Sequence, residues 1–269
     1  MEIKSLGYRT DLFLLGLGGS EIRDAGPYVV IRTPKNPTFW WGNYLLHRTP
    51  LAPGDLVRRA AEFRTEFPDA RHLTLGIDTT DGVLTAEGAE AVEQEVKAAG
   101  GRVDPSVVMT ASTVNAPQRP NTTSTYRFLS TDDDWQQVVD INLATSTMAV
   151  DDSHREFTRL KVAHDRELVE AGHGRWFGAF DGDRLQASLG LMFDGKGLAR
   201  FQTVQTHPDD RNQGIASTLV HQASTYGFEN GATTLVMVAD PEYLAIRIYR
   251  ALGFTDSETQ LAITIPPAS

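Results

Sequence analysis

Residues 204–219 read Val-Gln-Thr-His-Pro-Asp-Asp-Arg-Asn-Gln-Gly-Ile-Ala-Ser-Thr-Leu, and they combine the parts needed to hold a phosphate. The pattern predicts a strand that enters a turn and then opens directly onto an amphipathic helix. Pro208 stops the strand, while Gly214 and the small Ala216 keep side chains away from the backbone N–H groups of the first helical turn. Those N–H groups have no partner within a helix, and the positive end of the helix dipole lies beside them. Arg211 adds a charge-assisted donor, so the turn suits a phosphate or diphosphate.

The spacing Arg211-x-x-Gly214-x-Ala216 resembles the R/Q-x-x-G-x-G/A signature of the Gcn5-related N-acetyltransferases (GNAT). Downstream, Ala245-Ile246-Arg247-Ile248-Tyr249-Arg250-Ala251-Leu252-Gly253-Phe254 is similar to that family's A-x-x-L/I-Y-x-x-x-G-F helix. The two stretches come in the family's order, with room between them for one helix and one strand. The resemblance covers about residues 125–265. It implies that Arg211, Asn212, Gln213, Gly214, Ile215 and Ala216 hold the diphosphate of acetyl-CoA as co-substrate. It also implies cofactor contacts from Thr203, Val204, Thr206 and Ala245, with the main chain of Thr203 and Val204 pairing to the pantetheine arm like an added strand.

Tyr249 is the catalytic residue that the resemblance implies, protonating the departing CoA thiolate. A phenol titrating near ~10 can serve a thiolate near ~8.5 at little cost. The alternative is a tyrosine that packs its ring against the sheet with its hydroxyl at the rim. Where the family often has Asn this chain has Glu242, and Asp240-Pro241-Glu242 reads equally as a helix cap. Relatives often carry a carboxylate as general base on the strand before the turn, but here those positions hold Gln202, Thr203 and Gln205. Asp151, Asp152, His154 and Glu156 are either an acceptor wall or a solvated helix start. His207 sits beside the turn.

Around these residues the second half reads as a strand near Tyr126 to Leu129, a helix from the Asp132-Asp133-Asp134 cap, and a charged helix from Asp152 to Glu170. Strands follow at Trp176 to Phe180, Arg184 to Phe193 and Leu198 to Thr206. A helix after Gly214 ends at Asn230-Gly231, Thr234 to Ala239 reads as a buried parallel strand, Tyr243 to Leu252 as a helix, and roughly Thr255 to Ile265 as the last strands. In the first half, strands are expected at Tyr28 to Arg32, Thr38 to His47, Leu73 to Ile77 and Val107 to Thr110, with helices at Asp55 to Phe67 and Thr85 to Ala99. This succession matches residues 198–265 and reads as a drifted internal duplication. In place of the phosphate turn it has Arg48-Thr49-Pro50-Leu51-Ala52-Pro53-Gly54-Asp55, whose prolines supply no N–H and whose aspartate repels phosphate.

The expected fold is therefore mixed α/β, an acyl-CoA N-acyltransferase fold in two tandem lobes: a degenerate lobe over 1–118 and a complete one over 119–269. The boundary falls in Asn115 to Ser124, which is rich in proline and polar residues and has little apolar content to pack. Thr38-Phe39-Trp40-Trp41-Gly42-Asn43-Tyr44 is the densest aromatic stretch and reads as a strand buried on both faces, with a cation-binding wall as the alternative. Gly16-Leu17-Gly18-Gly19-Ser20 fails as a dinucleotide fingerprint because no third glycine or acidic partner follows.

At 269 residues with a formal net charge of −10, the chain would repel nucleic acid and anionic membrane. It has no cysteine, which excludes disulfides and thiolate chemistry, and its histidines make no metal-ligand spacing. No membrane span or signal-peptide core is visible, so a cytoplasmic location is expected. The reading is acetyl transfer from acetyl-CoA to a primary amine of an unidentified acceptor, with small-molecule polyamine, amino sugar and amino acid and a protein N-terminus all open, by direct attack in a ternary complex, since no covalent nucleophile is visible. Two alternatives stay open: another acyl-CoA chemistry, as in mycothiol synthases, and a non-catalytic CoA-binding sensor. Many relatives pair through their last strands, which implies a homodimer.

Overall fold

The computed structural model describes residues 1–85, 87–146 and 149–267. In chain order the first part contains α1 (Leu6–Leu17), β1 (Glu21–Asp24), β2 (Tyr28–Arg32), β3 (Tyr44–His47), α2 (Asp55–Glu66), β4 (Leu73–Ile77), α3 (Ala89–Ala98) and β5 (Arg102–Ala111). Next come β6 (Thr125–Phe128), α4 (Asp132–Thr145), α5 (Asp152–Glu170), β7 (Gly174–Asp181), β8 (Arg184–Phe193) and β9 (Leu198–Thr206). The chain closes with α6 (Ile215–Glu229), β10 (Thr234–Ala239), α7 (Ala245–Ala251) and β11 (Thr255–Ile265).

Two compact units result, one of Met1–Val108 with Ser257–Ser269, the other of Met109–Asp256. In the second unit β6, β7, β8 and β9 form an antiparallel meander, and β9 continues through α6 into β10, which runs parallel to it. The first unit repeats this arrangement: β1, β2 and β3 are antiparallel, and β3 passes through α2 into the parallel β4. A crossover helix is needed wherever consecutive strands run parallel, and α2 and α6 fill that role in the two units.

The last strand of the chain belongs to the first unit. Leu261–Ile265 pairs antiparallel with Leu73–Ile77 of β4, and β5 flanks β11 on its other side. Leu261 and Ile263 are buried in a core with Leu75, Ile77, Val92 and Val96. The compact units thus divide at 108/109 and again at 256/257, where a single division at 118/119 was expected. The physical reason is that β11 finds its apolar partners at β4, a long-range pairing with no local signal. Because β4 and β5 bracket it, β11 is not a free edge of the sheet.

Other differences are local. The aromatic stretch at 38–47 is a 3-10 turn at Trp40–Gly42 followed by the short β3, with Asn43 donating from Nδ2 to the carbonyls of Asn36 and Phe39. Trp41 is exposed and Trp40 stacks on His72, so the aromatics do not form a doubly buried strand. The α3 helix starts at Ala89 because Gly88 is left-handed at its N-cap, and α1 and β1 form where no element was expected. Gly16 to Ser20 is the end of α1, closed by Gly18 and the left-handed Gly19.

Candidate active site

In the second unit β9 and β10 pair from Leu198/Thr234 to Arg200/Val236 and then separate. The parting is built into β9. Gln202 faces Gly190 and Gln205 faces Ser188, so Thr203 and Val204 together oppose the single Leu189. This is a β-bulge, and Thr203 takes a positive φ of 46° within it. A non-glycine residue holds that conformation only where its surroundings impose it. Here the Lys161 Nζ of α5 donates to Thr203 Oγ1 at 3.1 Å, and Lys161 is itself paired at 2.8 Å with the buried Asp165.

The parted strands leave two adjoining cavities of about 250 and 210 Å³ that share Val204, Tyr243, Ala245 and Tyr249 in their walls. The larger is lined by Thr206, Arg211, Asn212, Gly214, Ile215 and Ala216 among others. The smaller is lined by Phe201, Met237, Ala239 and Ile246 together with Thr203 and Asp240. The structure therefore brings together Thr203, Val204, Thr206, Arg211, Asn212, Gly214, Ile215, Ala216, Ala245 and Tyr249 along one groove. Gln213 does not line it; its carbonyl accepts from Asn121 Nδ2 instead.

At the groove's wide end Asn212 (φ 63°) and Gly214 (φ 76°) are both left-handed, which turns the chain sharply into α6. The N–H groups of Asn212 to Ser217 have no acceptor among the described residues. This is a converging set of free donors at a helix N-terminus. The turn is braced by Asp210, which also stands in the wall of the larger cavity. Asp210, buried, takes a two-point ion pair from Arg184 at 2.7 Å and a hydrogen bond from Gln186 Nε2 at 2.8 Å. The Arg184 hydrogen bonds hold the Asp210 carboxyl below the usual carboxylate range, and the Arg184 cation offsets its charge beside the groove. His207 Nδ1 accepts from Asp209 N in the preceding 3-10 turn and lines neither cavity.

The Tyr249 side chain is buried, edge-on to Phe254 with ring centres 6.4 Å apart. Both readings of this residue are thus partly met: its ring packs, and it also lines both cavities. Burial pushes its phenol well above the ordinary tyrosine value, with a smaller contribution from Tyr243. The near-match to a thiolate assumed from the sequence is corrected accordingly: Tyr249 is a firmly protonated donor and a weaker acid. Tyr243 and Leu244, both exposed, add apolar surface at the mouth.

The acidic run at the start of α5 is a solvated helix start. Asp151 caps the helix by accepting from His154 N, Glu156 pairs with Arg159, and Asp151, Asp152 and Glu156 are exposed. No sequence signal marked Lys161, because its partner Thr203 lies 42 residues away.

The first unit holds the counterpart of the phosphate turn, and it is filled by the protein itself. Gly54 is left-handed at the N-cap of α2 (φ 85°), as Gly214 is before α6, but its N–H donates to the Glu95 carboxylate at 2.7 Å. Asp55 Oδ2 accepts from Ala52 N, and the buried Arg59 donates to the carbonyls of Thr49 and Pro50. A carboxylate of the chain stands where an anion would have to bind.

Residues 135–254 match the model of the acetyltransferase (GNAT) family. This segment is a GNAT acetyltransferase domain. No curated protein matches the chain in sequence. Among solved structures the chain is similar to a functionally unknown conserved protein from Staphylococcus epidermidis, at 10% identity and a TM-score of 0.73 over 91% of this chain and 93% of that one. It is also similar to a GCN5-related N-acetyltransferase from Kribbella flavida (17% identity, TM-score 0.65, 98% and 97% covered). A tandem GNAT protein from the clavulanic acid biosynthesis pathway matches at 13% identity and a TM-score of 0.55, covering 95% of this chain and 88% of that one. At these identities the likeness is one of fold, the acyl-CoA N-acyltransferase fold. The GNAT domain contains the whole of α4 to α7 apart from the first residues of α4, and thus every element that lines the groove.

Proposed function

We propose that the GNAT domain transfers an acetyl group from acetyl-CoA to a primary amine of an acceptor that a panel of amines is to identify. The observation that carries this reading is the coincidence, in one groove, of the free N–H donors of Asn212 and of Gly214 to Ser217, the bulge at Thr203 and Val204, and Tyr249. Bound there, acetyl-CoA supplies the activated thioester. Arg211 and the N–H groups of Asn212 and of Gly214 to Ala216 hold the diphosphate. Thr203 and Val204 offer main-chain groups at the point where β9 leaves β10, so an extended arm can pair there as an added strand. Thr206 and Ala245 line the walls between.

Tyr249 stands beside the shared part of both cavities and donates its proton to the departing sulfur. The phenol is neutral across the physiological range, as an unshifted tyrosine would be, and burial makes it a weaker acid toward the sulfur. Holding both reactants in one groove makes the attack effectively unimolecular, and no covalent carrier is needed. The first unit, whose turn is closed by Glu95, takes no part in holding the diphosphate.

The test is release of free CoA thiol from acetyl-CoA across a panel of primary amines. Amine-dependent release that is lost in Gly214→Asp and much reduced in Tyr249→Phe supports acetyl transfer. Binding of CoA without release by any amine supports the sensor. Parallel assays with propionyl- and succinyl-CoA separate acetyl transfer from other acyl-CoA chemistry.

A further inference from the structure

The proline-rich stretch before β6 is packed against both motif-bearing helices of the groove. At one end, Asn115 N donates to the Leu252 carbonyl at 2.8 Å, just past α7. Gly253, left-handed at φ 99°, lies so close there that a Cβ would stand 3.2 Å from Asn115 Nδ2. At the other end, Asn121 N donates to Thr218 Oγ1 of α6 at 2.8 Å, and Asn121 Nδ2 donates to the Gln213 carbonyl at 3.2 Å. Thr218 Oγ1 in turn donates to the Gly214 carbonyl at 2.9 Å. Asn121 Oδ1 accepts from Ser124 N and from the Tyr126 hydroxyl, which fixes its amide in place.

Gly214 therefore answers to this segment as well as to its own φ. A Cβ built on it would lie 2.5 Å from the Arg119 carbonyl oxygen and 3.4 Å from Asn121 N. Both atoms are backbone and cannot swing aside. The two glycines of the two groove motifs are thus both seated against residues 115–121.

We propose that residues 115–124 form a strap that holds the turn before α6 and the end of α7 in register, with Asn121 as the positioning residue for the diphosphate site. Asn121 touches no ligand itself. It acts by fixing the Gln213 carbonyl, and with it the Gln213–Gly214 peptide whose N–H faces the groove. This rests on the reading of the groove as a CoA site, and it adds a residue that the family motif does not contain. The strap should matter for the diphosphate end of the ligand and not for the pantetheine end.

The experiment titrates the full chain with CoA and, separately, with pantetheine, in wild type, Asn121→Ala, Thr218→Val and Thr218→Ser. The expected result is a CoA Kd raised about tenfold, equivalent to roughly 1.4 kcal/mol, in Asn121→Ala and raised by a similar factor in Thr218→Val. Thr218→Ser, which keeps the hydroxyl, restores wild-type affinity, and pantetheine binding stays within about twofold throughout. The strap is overturned if Asn121→Ala and Thr218→Val bind CoA as wild type does, or if CoA and pantetheine weaken equally, which would mark a general loss of fold. A wild type that binds pantetheine but not CoA, or neither, removes the CoA reading and the strap together.

Discussion

Two glycines at matching positions allow the strap contact to be weighed directly. Gly54 before α2 and Gly214 before α6 have φ values of 85° and 76°, so an alanine at either pays the same left-handed strain, about 1–2 kcal/mol. They differ in surroundings. A Cβ on Gly54 meets nothing within 4 Å, whereas one on Gly214 meets the Arg119 carbonyl at 2.5 Å. Forcing an atom into such a contact costs about 1–3 kcal/mol more. Gly54→Ala should destabilise the first unit by about 1–2 kcal/mol, and Gly214→Ala the second by about 2–5 kcal/mol in total. Hydrogen exchange read by mass spectrometry on peptides from each unit reports the two stabilities separately, which a single melting curve of a two-unit chain would not. Equal losses at the two sites would show that the strap yields freely and that Gly214 is there for its backbone angle alone.

Ile263→Ala in β11 should cost about 2–5 kcal/mol and loosen peptides of β4 and α3, since its side chain is fully buried in the first unit's core; exchange changes confined to residues 109–256 would contradict the assigned pairing. His47, buried and pressed by the Arg59 and Arg58 cations, has its pKa lowered to about 3. Because the unfolded chain protonates near pH 6.5, the first unit should lose stability progressively as pH falls from about 6.5 towards 3, and urea titrations of His47→Gln should show a flatter profile than wild type over that window. Asp134 is held far below the carboxylate range by the Arg127 pair and by the N–H groups of Ser130 and Thr131, so its contribution is present above about pH 4 and lost below it. Asp134→Asn should therefore destabilise at neutral pH, by about 2–3 kcal/mol, with the gap to wild type closing in acid. Tyr249→Phe should lower amine-dependent CoA release about 100-fold or more while leaving the CoA Kd within twofold, because the ring keeps its place against Phe254; equal turnover would return the tyrosine to a packing role.

What could be read from the chain is what depends on neighbours in sequence. The charged run from Asp152 to Glu170 is legible as the helix α5. The passage from β9 through Pro208 and Gly214 into α6 follows from turn chemistry. What stayed hidden depends on partners far along the chain. Asn115 to Ser124 has almost no apolar content, so it reads as a linker, yet it is held by backbone and amide hydrogen bonds to residues almost a hundred positions later. The pairing of β11 with β4 spans a still longer separation. Helix α1 escaped because Gly7 and Gly16 blur its pattern; Gly7 is required by the close approach of Gln260 and Val108, which only the fold reveals. The groove's residue types were legible, but the raised proton affinity of Tyr249 was not, since burial is a property of the packed ring.

The most direct measurement is a calorimetric titration of the full chain with CoA. The free donors before α6 and the carboxylate-filled counterpart before α2 predict saturable heat at one site per chain, abolished by Gly214→Asp and unaffected by Gly54→Ala. No heat, or two equivalent sites per chain, would contradict the account.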